Sequence, residues 1–506
     1  KKIYTKHHLF SELTNINLEK GKFHLQGLNY SATPLLLSAL FSKKPDYKLI
    51  ILPSKEEAAY FFNDLTNLLG EEKSLFFPSS YRHSAVDESG RKEDSAGIVL
   101  RTEVLSKYTT NEPFILVSHP TALLEKVITK KSLEENTLQI SVGEKISIEF
   151  IIEVLNTYNF QRIDFVYEPG QFSVRGSIVD IFSYSSDNPY RLDFFGDEVE
   201  SIRVFDTVTQ LSQEKKNVVT IVPNIQNRPD EELRVSIFEY IPQSVQVWCS
   251  NLEFVKDKMN DLYKKRAGDD QWKWCSGDET VKLLNNFTFF EFDFKSLFPI
   301  DKIFNFQIEK QNDFAKNFDL LSEDIFKHTE QGFQIFILSD NNKQFERLQA
   351  IFDAQETSEL LQFTPMPISL NKGFIDNDLK ICFYTDHEIF QRYKKYKLKT
   401  EKQLSSRETL TIKELTDLQP GDYVVHVDHG IGRFGGLQKI EVNGKMQETI
   451  RLIYMDNDVL LVSLQSLHKI SKFKSKDGAP PKIYKLGSAA WSNLKNRAKS
   501  KVKDIA

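Results

Sequence analysis

The first residues to weigh are those that could hold a phosphate. A phosphate loop needs clustered glycines, so that backbone N–H groups cradle the oxygens, then a lysine and a hydroxyl for charge and magnesium. Where a first strand should give way to its helix, the chain reads Gly27-Leu28-Asn29-Tyr30-Ser31-Ala32-Thr33-Pro34. Gly27 is the lone glycine, and Ser31 and Thr33 offer hydroxyls. There is no lysine, and a proline stands where the loop should lead into the helix. No other stretch matches G-x-x-x-x-G-K-[ST]. The loop reads as degenerate and non-binding, so no catalytic site and no cofactor are expected in this chain.

Metal chemistry is the next possibility. Val425-His426-Val427-Asp428-His429-Gly430-Ile431-Gly432 brings two histidines and an aspartate together. A strand followed by a turn would put His426 and His429 on different elements, and no further cluster completes a coordination shell. The segment reads as a glycine turn with hydrogen-bonding side chains, and no metal is expected. Cys249, Cys275 and Cys382 are scattered, which disfavours both zinc and a disulfide framework.

Two other patterns suit binding rather than catalysis. In Tyr190-Arg191-Leu192-Asp193-Phe194-Phe195, strand alternation puts Tyr190, Leu192 and Phe194 on a core face and Arg191, Asp193 and Phe195 on the other. Arg175 and Arg203 are candidates for the same outer surface. Arginine and aromatic side chains are typical interface anchors, but from pattern alone this face reads first as a solvated edge with Phe195 half buried. The run Leu437-Gln438-Lys439-Ile440-Glu441 precedes Asn443-Gly444, the strongest hairpin signal in the chain. It reads either as ordinary core around Ile440 or as an edge strand open to a partner's strand. From Ser466 to Ala506 there are eleven Lys or Arg against two Asp, a weak pointer to DNA phosphates, a solvated face or a neighbouring domain.

The elements that must position these residues belong to several domains. The chain has 506 residues, 40% hydrophobic and 27% charged, with net charge −5, so no global attraction to nucleic acid is implied. No apolar run approaches the roughly 20 residues of a membrane span, and no signal peptide is evident. A cytoplasmic protein without a membrane partner is expected.

Early strands at Lys48–Pro53, Ser74–Pro78 and Pro113–Ser118 alternate with helices at Lys55–Leu69 and near Ser95–Lys107, which predicts a parallel sheet. Short strands over Gly170–Val174, Ser177–Phe182, Tyr190–Phe195 and Ser201–Phe205 predict an inserted antiparallel sheet. A smaller α/β pattern follows over Phe333–Tyr384. The stretch Leu418–Phe473 is nearly all β and predicts a small barrel. Behind Ser488, a helical pattern meets no terminator before Ala506 and reads as an element cut short. The fold class is therefore multidomain α/β and α+β.

At this point the residues resemble a known family. Gly170-Gln171-Phe172-Ser173-Val174-Arg175-Gly176-Ser177-Ile178-Val179-Asp180-Ile181-Phe182, continuing through Tyr190–Asp197 and Ile202–Asp206, is similar to the signature shared by UvrB and the transcription-repair coupling factors. Gly421–Phe434 resembles the CarD-like, RNA-polymerase-interacting module of those coupling factors. Leu486-Gly487-Ser488-Ala489-Ala490-Trp491 resembles the start of the helix leading to their motor. The two modules in this order single out the coupling-factor family, in its non-motor part.

The resemblance implies a UvrB-like degenerate α/β domain over 1–130, a UvrA-binding domain over 131–217, and a return to the first domain over 218–298. It further implies a small α/β domain with linkers over 299–400, a CarD/Tudor-like barrel over 410–476, and the start of a long helix over 484–506. It implies that Arg175, Arg191, Phe195 and Arg203 meet UvrA. It likewise implies that Leu437, Lys439, Ile440 and Glu441 meet the RNA polymerase β subunit by strand pairing. ATP, magnesium and double-stranded DNA would belong to the motor of the longer protein. Two rival readings stay open: a UvrB-like ATP-dependent repair helicase and a CarD-type transcription regulator.

Overall fold

The computed structural model describes residues 1–16, 20–81, 94–110, 112–207, 210–225, 234–266, 271–292, 296–353, 362–392, 394, 396, 418–442, 445–463, 469–473, 481, 483–487 and 491. The chain divides into two compact units, Lys1–Glu135 with Ile225–Leu398, and Asn136–Asn224 with Lys399–Ala506. The Ser488 helix pattern, apart from Trp491, and Asn443-Gly444 lie outside the described residues.

In the first unit seven parallel strands run in the order Lys302–Asn305, Lys22–Gln26, Thr288–Phe292, Gln246–Ser250, Lys48–Ile51, Ile115–Ser118, Ser74–Phe77. The central strands are buried along their whole length, as expected where a parallel sheet is covered on both faces. Helix Lys55–Leu69 starts where the Ser54 hydroxyl accepts the Glu57 N–H at 3.1 Å, and stops at Gly70 with φ 96°.

A five-stranded mixed sheet follows in the order Ile308–Lys310, Phe374–Asp376, Ile381–Thr385, Gln334–Leu338, Thr364–Met366. The expected separate domain over 299–400 does not have a wholly separate core. Lys302–Asn305 pairs with Lys22–Gln26 in the first sheet. Phe336, Leu370, Phe374 and Phe383 share one apolar cluster with Leu28, Leu36 and Phe62. A sheet this small leaves one face uncovered, and burying it against the larger sheet removes that apolar area from water.

The second unit contains the inserted sheet, in the order Ser212–Lys216, Glu198–Phe205, Tyr190–Phe195, Ile178–Phe182, Gln171–Arg175, Gln161–Arg162. All neighbours are antiparallel except the last pair. Helix Ile148–Thr157, capped by Ser147, lays Ile151 and Leu155 on Phe172, Val179, Leu192 and Phe194. The expected boundary at 217/218 moves to 224, because Val218–Ile221 pairs with Leu138–Ser141.

The same unit holds a five-stranded antiparallel sheet, ordered Val459–Ser463, Lys445–Ile453, Gly430–Val442, Tyr423–His426, Ile470–Lys472. The expected barrel is not closed among the described residues: the first and last strands are two ends of an open order. One face carries a buried cluster of Val424, Phe434, Ile450, Leu452, Val462 and Ile470. An open sheet cannot cover that face with its own strands, so other segments must do so. No described helix is long and apolar enough to cross a membrane.

Candidate docking surfaces

The degenerate loop uses its polar groups internally. Gly27 has φ +79°, and a Cβ there would stand 2.2 Å from the carbonyl oxygen of Phe306. The Ser31 hydroxyl donates to Asp64 at 2.7 Å and accepts the Lys372 N–H at 3.0 Å. Asp64 also accepts the Asn371 N–H at 2.9 Å and pairs with Lys394 at 3.3 Å. The Thr33 hydroxyl turns back to the Leu28 carbonyl at 3.4 Å. Burial pushes the Asp64 carboxyl up and the Lys394 ammonium down from their ordinary values, and each partially counters the other. The polar groups of the loop are thus engaged with Asp64, Asn371, Lys372 and Lys394.

The outer face of the inserted sheet brings the four expected residues into one region, with their charges already partnered. Asp180 stands opposite Arg191 on the neighbouring strand, and Arg191 stands opposite Arg203 on the next. Arg191 forms a two-point pair with Asp180, Nε to Oδ1 at 2.7 Å and an Nη to Oδ2 at 2.8 Å. Its guanidinium lies 4.3 Å from the ring centre of the buried Phe205.

Burial disfavours the Arg191 charge, but the Asp180 hydrogen bonds and charge outweigh it, so its proton is held more tightly than usual. Arg175 shares the Asp180 carboxylate and donates to the Asp164 carbonyl at 3.2 Å. Arg203 pairs with Asp193, which also accepts the Ser201 hydroxyl at 2.7 Å. Phe195, expected to be half buried, is instead 82% exposed, because it sits at the strand end beside the Gly196 turn.

Sequence reasoning missed Asp180. Its signal was the alternation of Val179 and Ile181 with Asp180 in the Ile178–Phe182 strand, which places the carboxylate on the arginine face.

The run Leu437–Glu441 belongs to a longer strand, Gly430–Val442, that is an edge over only part of its length. Gly430–Val442 pairs on one side with Lys445–Ile453 up to Val442 opposite Lys445. On the other side it pairs with Tyr423–His426 only between Gly430 and Arg433. Leu437–Val442 therefore has one side without a ladder among the described residues. Leu437 stands opposite the buried Ile450 and is 46% exposed. Ile440 is half-buried and, by register opposite Gln447, takes the other face with Arg451 and Ile453. The side chains of Lys439 and Glu441 lie outside the described residues.

The histidine segment folds as a turn. The Asp428 N–H donates to His426 Nδ1 at 3.1 Å, and the two imidazole rings lie 4.8 Å apart. A group of potential metal ligands that sequence reading overlooked is His7, His8 and Asp378. There the Leu9 N–H donates to His7 Nδ1 at 3.2 Å, and the buried His7 Nε2 stands 3.3 Å from Asp378 without the alignment of a hydrogen bond. The three cysteines are free and buried.

Comparison with known proteins agrees with this layout. A UvrB interaction domain model matches residues 138–226, and a CarD-like/TRCF RID domain model matches residues 418–474. The transcription-repair-coupling factor of Bacillus subtilis (strain 168) is 24% identical, over 95% of this chain and 48% of its own length. That of Staphylococcus aureus (strain USA300) is 22% identical, over 95% and 47%. The chain spans about half the length of the curated relatives it matches. Two different modules in this order, with relatives aligned along nearly the whole chain, make it similar to the transcription-repair-coupling factors and support an N-terminal region of that kind.

Proposed function

We propose that this chain is the adaptor portion of a transcription-repair coupling factor, which binds stalled RNA polymerase and recruits UvrA in nucleotide excision repair. The observation that supports the reading is an open backbone side on one sheet and an exposed aromatic beside arginines on another, both on one chain. One is the open backbone side of Leu437–Val442, suited to strand addition by the polymerase β subunit. The other is the inserted sheet's outer face, where an exposed Phe195 lies near partnered arginines.

In this reading the chain has no catalytic step of its own. The groups around Ser31 and Asp64 support that, since they are already hydrogen-bonded to one another. ATP, magnesium and double-stranded DNA are then handled by a translocase motor elsewhere in the longer protein. A UvrB-like helicase would need a working phosphate loop here, and a CarD-type regulator would not need the UvrB-like sheet.

The test is binding of the purified chain to UvrA and, separately, to the polymerase β subunit, alongside an ATP-turnover assay. Binding to both without turnover is the expected result. Magnesium-dependent ATP hydrolysis by this chain would overturn the adaptor reading, and failure to bind either protein would remove the corresponding surface.

A further inference from the structure

The segment 163–168 crosses the inserted sheet's outer side and has two sets of neighbours. Its backbone is tied to the sheet: the Ile163 N–H donates to Phe172, and the Asp164 carbonyl accepts the Ser173 hydroxyl at 2.8 Å. The Tyr167 and Glu168 N–H groups both donate to the Gln171 side chain, at 3.0 and 2.9 Å. Val166 is buried with Phe182 and Phe205. Phe165 and Tyr167, on either side of Val166, pack against the apolar cluster of the C-terminal five-stranded sheet, alongside Leu460, Ile483 and Leu486. Arg175 in turn stacks over Phe165, 5.2 Å from its ring centre.

We propose that this strap is an internal docking surface for the polymerase-binding module, so that one body carries both partner-binding sites. The inference rests on the adaptor reading for what the two sites bind, but the contact itself does not. Its geometry is specific. The cluster that receives Phe165 and Tyr167 includes Phe434, Ile450 and Leu452, on the face of the sheet that Leu437 shares. Ile440 lies on the opposite face, and the open side of Leu437–Val442 is a backbone edge.

The strap therefore covers the face that an open sheet leaves bare without occupying the face of Ile440. On the inserted sheet itself, Phe195 stays 82% exposed. Both partners can be held at once, and Arg175 stands at the join.

The test uses the whole chain with Tyr167→Cys and Leu460→Cys and a short bismaleimide. The native cysteines are buried, so background coupling is low. An intramolecular crosslink is expected in the double variant and not in either single variant. The crosslinked chain is then expected to bind UvrA and the polymerase β subunit together. Its affinity for each should differ from that of the untreated chain by less than about twofold, meaning negligible coupling.

Absence of the crosslink in a chain that keeps its native unfolding transition overturns the docking. A crosslinked chain that holds one partner only overturns the joint-carrier role. An untreated chain that binds neither partner counts against the adaptor reading alone, since the crosslink is read without them.

Discussion

Arg191 and Asp180 face each other across adjacent antiparallel strands and share two hydrogen bonds of 2.7 and 2.8 Å, with the carboxylate almost fully buried. This pair changes what a mutation at the expected UvrA face reports. Arg191 lies between the sheet's own acid and the buried Phe205 ring, so its first task is to neutralise Asp180. Arg191→Ala is expected to destabilise the chain by about 2 to 3 kcal/mol, because Asp180 is left with Arg175 alone. Urea unfolding of the variant checks this; a change below about 0.5 kcal/mol would show the pair to be dispensable.

Phe195 separates binding from folding. Being 82% exposed, it contributes little to the core. Phe195→Ala is expected to leave stability within about 0.5 kcal/mol while weakening UvrA binding by about 2 kcal/mol, as for an aromatic hot spot. Unchanged affinity in a titration with purified UvrA would take Phe195 out of the interface.

At the other surface, Ile440→Arg places a charge on a half-buried position beside the open side of Leu437–Val442. Binding to the polymerase β subunit is expected to fall by roughly tenfold or more, with UvrA binding unchanged. Parallel pull-downs of the two partners make the comparison, and joint loss would mean that the variant has unfolded or that the surfaces are coupled.

Gly27 tests how firmly the degenerate loop is built in. At φ +79°, with the Phe306 carbonyl 2.2 Å from the place of a Cβ, Gly27→Ala requires the backbone to move. A loss of about 2 kcal/mol or more is expected in thermal or urea unfolding. A variant as stable as the parent would mean that the loop is loosely packed.

The mixed sheet's helix Phe318–Glu330 carries a pH-dependent pair. The Asp324 hydrogen bond raises the His328 pKa above its ordinary 6.5. Burial acts to raise the Asp324 carboxyl, but the hydrogen bonds from His328 and Tyr384 outweigh it and hold it below 3.8. Protonated His328 therefore adds stability that is full below pH 6.5 and lost as pH rises through its raised value. The Asp324 contribution is present above pH 3.8 and lost as pH falls through its lowered value. Unfolding measured from pH 5 to pH 8 should show a decline that His328→Gln flattens, and an identical slope in the variant would exclude His328 as its source.

How much of this was legible beforehand differs from element to element. The Ser54 cap and Gly70 stop of helix Lys55–Leu69 were readable because each acts within a few residues of its own chain. The strand Tyr190–Phe195 and its two faces were readable because alternation is local. What Arg191 does was not, since Asp180 reaches it only through strand register. Likewise, the run Leu437–Glu441 showed a strand, but only pairing on both sides revealed which half has an open backbone side.

The amino-acid order alone determined that a glycine-poor loop, an arginine-bearing antiparallel sheet and a CarD-like β segment follow one another, because turns, caps and periodicity are written in neighbouring residues. Tertiary structure decided the rest: that Asp64 and Lys372 fill the loop, that the small mixed sheet shares the larger sheet's core, and that Phe165 and Tyr167 meet the C-terminal sheet. Those outcomes depend on which apolar faces and which charges find each other across distant parts of the chain. Burial and pairing of that kind are set by packing, which no local pattern encodes.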